Sequence, residues 1–203
     1  MSDIALHSIR RDFFIGIAGL IILTIGSLYY DNTMWMICHI SCLLPSLFVA
    51  TLIMACGATI ASRLFVGYWH IQKVRLARFS SRVSPILSWL APIGTLILAL
   101  SYHKSSNPTS PIPELFVFGN MFSYIGWVIW GLMLILWGVT FIYLGKSPKG
   151  PPLASLVGFL FIGGALIQLA LLTLSQLFGP ISAIHALAYL CCCAIIYNTL
   201  EQL

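Results

Sequence analysis

The sequence predicts an all-α fold: a polytopic membrane protein, a bundle of six transmembrane helices with both termini on the cytoplasmic side. Three observations carry this. Hydrophobic residues make up 60% of the chain and charged residues only 7%, whereas a water-facing domain carries about a quarter charged residues. Several apolar runs exceed the roughly 18 residues that mark a spanning segment. Nine of the ten lysines and arginines fall on one side when the N-terminus is placed inside, the bias expected of cytoplasmic connections.

Spanning segments are restricted to helices and closed barrels, because every backbone N–H and C=O in hydrocarbon must find an internal partner. The runs lack period-2 alternation and are about twice the length of barrel strands. Helices are therefore expected at about 13–30, 34–62, 83–103, 115–144, 153–177 and 181–200. They form one domain over 1–203, arranged as three helical hairpins. A faint repeat accompanies the hairpins: G-L-I-I-L-T from Gly19, G-T-L-I-L-A from Gly94 and G-A-L-I-Q-L from Gly164. The first apolar run lacks a small-residue cleavage site and is expected to remain as a signal anchor.

The inner connections hold Arg10, Arg11, Arg63, Lys73, Arg75, Arg78, Arg82, Lys146 and Lys149, and the outer ones hold Lys104. The net charge of +5 therefore reflects lipid headgroups rather than nucleic acid. In the segment 63–82, bulky apolar residues interleave with Arg63, Lys73, Arg75, Arg78 and Arg82. It is too polar to span. The expectation is an amphipathic inner segment in the headgroup layer, its basic tips on anionic lipid.

In the fourth helix, Gly131, Gly138 and Gly145 recur every seven residues with Tyr124. Glycines on one face admit a neighbouring helix. Trp127, Trp130 and Trp137 project elsewhere on the same helix. Gly57 and Ala61 have the same small-xxx-small character in the second helix. Aromatic residues near the expected boundaries, among them Tyr29, Tyr30, Trp35, Tyr102 and Tyr143, suit interfacial belts. Pro152 and Pro180 suit helix starts, where a missing N–H costs nothing.

Chemistry-bearing groups are sparse. No acidic residue and no lysine or arginine lies deep in a predicted span, which disfavours a proton-coupled carrier. Gln168 is the most polar deep side chain, and a bond to a neighbouring helix is expected of it. At the outer end, Met34, Cys38 and Cys42 are spaced i, i+4, i+8 on the expected second helix, with Met36 and His39 beside them. His103 and His185 reach the same level. Imidazole, thiolate and thioether groups hold copper(I), zinc or haem iron, so His39, His103 and His185 are candidate cofactor ligands. Met34, Met36, Cys38, His39 and Cys42 are a candidate metal set, with haem or copper as the cofactor. The spacing is neither C-x-x-C-H nor H-E-x-x-H, and the Cys191–Cys193 run points three ways around its helix. No hydrolase elbow or phosphate loop is present.

The function this supports is a subunit or anchor of a larger membrane complex in a bacterial inner membrane or an organellar membrane, with other membrane subunits as partners and a haem or metal near its outer face. Two other classes stand beside it: a channel or carrier for a small neutral or lipidic solute, and an outer-leaflet enzyme using histidine.

Overall fold

A computed structural model describes residues 3–35, 40–103, 111–147, 150–173 and 179–201. The described residues fold into eight helices, α1 (Asp3–Trp35), α2 (Ile40–Ala61), α3 (Arg63–Gln72), α4 (Arg75–Leu87), α5 (Leu90–His103), α6 (Pro113–Gly145), α7 (Ala154–Thr173) and α8 (Gly179–Glu201). They make six segments long and apolar enough to cross a membrane, because α2 runs into α3 and α4 into α5: Leu6–Tyr30, Leu44–Gln72, Arg75–His103, Pro113–Gly145, Ala154–Leu172 and Ile184–Glu201. The protein is a multi-pass membrane protein whose apolar helix surfaces meet lipid.

The segments close a ring in chain order. α1 packs on α2, α2 on α5, α5 on α6, α6 on α7, α7 on α8, and α8 returns to α1. At one end Phe13, Tyr68 and Phe141 stack edge to face, at 4.9 Å and 6.2 Å between ring centres. There Tyr68 Oη donates to Thr199 Oγ1 at 3.5 Å, whose own proton goes to the Ile195 carbonyl. The start of α1, the α3–α4 turn, the end of α6 and the end of α8 thus lie together. We call this the basic end.

The chain over 63–82 continues the second segment as α3 and then turns back as α4. The second segment stays helical through Ser62, whose N–H bonds the Ala58 carbonyl at 3.0 Å. It reverses at Lys73, in the left-handed region at φ 56°. The chain then climbs back as α4. Leu64, Phe65 and Tyr68 are wholly buried, because the apolar side of α3 packs on α1. The basic side chains occupy the other side and are exposed.

Between α4 and α5 the third segment breaks at Ser88 and Trp89. Pro92 has no N–H for the Ser88 carbonyl. The Ser88 hydroxyl instead folds back on the Pro85 carbonyl at 3.0 Å, beside Thr59 Oγ1 of α2 at 3.5 Å.

Lipid supplies no hydrophobic force between helices, so close packing and side-chain hydrogen bonds must hold them. Both are present. Gly19 lies against the Ala61 backbone and Gly94 against the Ser123 backbone. The third glycine of the repeat, Gly164, meets the His185 imidazole instead. Along α6, Gly131 faces Leu169, Gly138 faces Gly158 and Gly145 faces Ser155, all on the α7 side. Gly57 faces Leu23 of α1. Hydroxyl pairs pin the remaining junctions: Thr51 to Thr95 at 2.9 Å and Ser80 to Thr140 at 2.8 Å. Trp137 Nε1 donates to Ser84 Oγ at 2.7 Å.

Aromatic side chains fill the middle of the ring. Phe65 touches Trp137 at 5.4 Å and Phe141 at 5.7 Å. Phe161 meets Trp137, Phe141 and Tyr189, each at 5.8 Å. Trp130, Trp137, Phe65, Phe141, Phe161 and Tyr189 are all fully buried. Tyr30, expected in an interfacial belt, packs inward on Trp127 at 5.1 Å.

A Cβ at Gly138 would meet the Gly158 carbonyl at 2.6 Å, whereas nothing lies within 4 Å of one at Gly163. Gly138→Leu is therefore expected to lower the midpoint of thermal unfolding in detergent by many degrees. Gly163→Ala, gaining helix propensity worth up to about 1 kcal/mol, should leave it unchanged or raise it.

Candidate functional site

The outer cluster expected from the sequence is only partly within the described residues. Met36, Cys38 and His39 lie outside them. α1 runs on to Trp35, so Met34 belongs to the first helix and Cys42 to the second. The two therefore do not share one helix face. His103 is exposed at the end of α5. His185 is buried in α8. Among the described residues no three His, Cys, Asp or Glu side chains gather as a metal would require. The rest of the expected ligand set, His39 with Met36 and Cys38, lies outside the described residues. The side chains of Cys191, Cys192 and Cys193 carry free thiols, and Cys192 is core.

Two sites do emerge. The first is a cleft at the basic end, between α3 and α4. It has a volume of about 490 Å³ and is lined by Thr59, Ser62, Arg63, Val66, Trp69 and His70 from one side and by Arg78, Ser81, Arg82 and Pro85 from the other. The spacing explains the lining. Residues 59, 62, 63, 66, 69 and 70 share one helix face by i, i+3 and i+4 steps, and 78, 81, 82 and 85 share the facing one. The Lys73 turn brings the faces opposite each other. Arg78 stacks its guanidinium over the Trp69 ring, 5.2 Å from its centre, and Lys73 Nζ sits 5.7 Å from the same ring. Such cation–π contacts hold a cationic head in place without neutralising it. No carboxylate is among the lining residues. Three guanidiniums and three hydroxyls, from Thr59, Ser62 and Ser81, thus converge on an open hollow. A shallower hollow of about 370 Å³ adjoins it, lined by Trp69, Arg75, Arg78, Phe79 and Arg82.

The second site is a polar centre inside the ring, toward the end opposite the basic one. Gln168 Nε2 of α7 donates to the Trp127 carbonyl of α6 at 3.4 Å. His185 stacks on Tyr189, one turn away on α8, at 6.4 Å and 29°. The imidazole lies over Gly164 of α7, where a Cβ would come within 3.0 Å of Nε2. The absent side chain of Gly164 makes the room that His185 fills. Ser27 of α1 and Trp130 of α6 face the Tyr189 hydroxyl.

No protein-family model matches this chain, and neither a curated protein nor a solved structure does. Function rests on the residues.

The sequence pointed to Gln168, His185 and the five cationic residues of 63–82. It placed Trp130 away from the glycine face of its helix but did not single out Ser27 or Tyr189, nor a cleft. One available signal was position: Trp and Tyr favour membrane interfaces, where one end of the ring system is wet, yet Trp130 and Tyr189 sit well inside their spans.

Gly164→Ala should lower the thermal midpoint by pressing on the imidazole. In a His185→Ala background the same change should cost little. Thermal unfolding of the four proteins in a double-mutant cycle measures this coupling.

Proposed function

We propose that the chain is a membrane-embedded anchor or subunit of a larger membrane assembly, fixed at its basic end by the phosphate of an anionic phospholipid. The observation that carries this reading is the cleft of Arg63, Arg78, Arg82 and His70, with its three hydroxyls and no carboxylate. Guanidinium forks match phosphate oxygens two at a time. The three hydroxyls give their own protons to helix carbonyls, Thr59 to Ala55, Ser62 to Thr59 and Ser81 to Arg78, so the guanidiniums supply the donors. Val66 and Pro85 offer an apolar wall to the glycerol and upper acyl carbons. A lipid held in this way would place the basic end in the inner leaflet, in keeping with the distribution of lysine and arginine along the sequence.

The filled axis favours an anchor over a conduit. Trp130, Trp137, Phe141 and Phe161 are buried side chains in the middle of the ring, which supports an anchor.

The test uses the purified protein in nanodiscs containing phosphatidylcholine with or without phosphatidylserine or phosphatidic acid. Native mass spectrometry of the protein released from them reads retained lipid. One anionic lipid should be retained in preference to phosphatidylcholine. Arg78→Gln and Arg82→Gln should each weaken retention about tenfold or more, the loss expected of a charge-assisted contact. Added inorganic phosphate should compete only weakly if the acyl wall contributes, and fully if the headgroup alone is bound. Equal retention of neutral and anionic lipid, or unchanged retention in the double variant, would overturn the proposal.

A further inference from the structure

α4 carries Arg75, Arg78 and Arg82 at steps of three and four, so the three lie along one side of the helix. That side cannot turn inward. Ser80 is held to Thr140 at 2.8 Å, and Ser84 accepts from Trp137 Nε1 at 2.7 Å. With Ala77, these two serines are the buried residues of α4. All three arginines are exposed. Like charges one turn apart destabilise a helix, and no carboxylate lines either hollow at the basic end.

The two hollows share a wall. Trp69, Arg78 and Arg82 line both. Arg63 and His70 line only the larger, of about 490 Å³. Arg75 and Phe79 line only the smaller, of about 370 Å³. Arg78, stacked 5.2 Å from the centre of the Trp69 ring, stands in the shared wall. A guanidinium presents five N–H donors around its plane, so Arg78 and Arg82 can serve an anion on either side. Arg63 is then the larger hollow's own guanidinium and Arg75 the smaller's.

This division decides how many anions the pair takes. A single phosphate in the larger hollow leaves Arg75 facing a hollow with no anion. A second phosphate, in the smaller hollow, brings every one of the four guanidiniums beside a negative charge and screens Arg75, Arg78 and Arg82 from one another. The apolar surroundings double in the same way. Val66 and Pro85 wall the larger hollow and Phe79 the smaller. Phe79 is 54% exposed and Ile86 71%. Seven residues apart, they mark one strip of α4 that leads from the smaller hollow into the span Arg75–His103. Acyl chains leaving each hollow thus have an apolar track of their own.

We infer, on the reading that the cleft holds lipid phosphate, that its ligand is a lipid with two phosphates on one headgroup, of the cardiolipin class. One phosphate sits in each hollow, and Arg78 and Arg82 are shared between them. Basic pockets between helices on the cytoplasmic side suit such headgroups. Because the two phosphates are covalently joined, the second contact forms at high effective concentration, which two separate lipids lack.

The test compares nanodiscs of phosphatidylcholine containing cardiolipin with others containing phosphatidylglycerol at twice the mole fraction, so that phosphate content is equal. Native mass spectrometry of the released protein reads the lipid retained. Cardiolipin should be retained about tenfold more strongly than phosphatidylglycerol, or better. Arg75→Gln changes only the smaller hollow. It should lower cardiolipin retention about tenfold and leave retention of a single phosphatidylglycerol unchanged, whereas Arg63→Gln should lower both. Glycerol 1,3-bisphosphate, which carries the two phosphates without chains, should displace cardiolipin only weakly. Full displacement at equal concentration would assign the site to a free bisphosphate and overturn the lipid assignment. Equal retention of the two lipids, or an Arg75→Gln protein that holds cardiolipin as wild type does, would overturn the inference and leave an anchor on a single phosphate standing. Retention of phosphatidylcholine equal to that of both anionic lipids would remove the anchor itself.

Discussion

Everything in this fold depends on helix backbones coming close enough to touch in a medium that does not push them together. In water, burying a leucine face is itself the driving force. In lipid the tails are as apolar as the leucine, so contact must be won by dispersion at short range and by a small number of hydrogen bonds. The chain meets this with glycine where helices cross. Gly19 sits against Ala61, Gly94 against Ser123 and Gly138 against Gly158. Where backbones approach this closely, neighbouring side chains are displaced to the sides of the crossing, and the large rings are left to fill the centre of the ring. The column of Phe65, Trp137, Phe141, Phe161 and Tyr189 is the complement of the glycine crossings: small residues at the walls, large ones on the axis.

Polarity is distributed with the same economy. Hydroxyls between α2 and α5, and between α4 and α6, bond to one another or to carbonyls of their own helix. Among the described residues the arginines and lysines gather at the basic end, where the α3–α4 hairpin turns its arginines outward while its apolar side enters the bundle. Two features depart from this pattern, the open cationic cleft and the enclosed neutral centre, and they lie toward opposite ends of the protein. One is suited to an anion arriving from outside the ring. The other is a set of polar side chains enclosed within it.

The six spans were legible because length and apolar content alone decide what can lie in hydrocarbon. The hairpin over 63–82 was less so. Its arginines and lysine recur often enough to suggest a helix lying in the headgroup layer, but Leu64, Phe65 and Tyr68 recur on one side of α3 and bury there. Which side of an amphipathic helix meets lipid and which meets protein is settled by its neighbours, not by its own pattern. Pattern likewise extended the second helix back to Met34, because the apolar run is nearly continuous through residues 36–39. The polar centre was illegible for a different reason. Ser27, Trp130 and Tyr189 are ordinary residues apart from one another in sequence, and only ring closure brings them together. His185 and Gln168 drew notice as isolated polar groups in apolar surroundings. Their partners, Gly164 and the Trp127 carbonyl, carry no side-chain signal that a reader of the sequence could use.

Ring closure in chain order also bears on biogenesis. α1 leaves the ribosome well before α8, yet they are neighbours. Until α8 arrives, one flank of α1 has only lipid, or a helper protein of the insertion machinery, to lie against. Contacts so distant along the polypeptide form late. The α8-facing flank of α1 is therefore synthesised early and covered last, and a nascent chain halted before α8 would display the Ser27 hydroxyl on an unclosed flank, a local mark of incompleteness that membrane quality control could recognise.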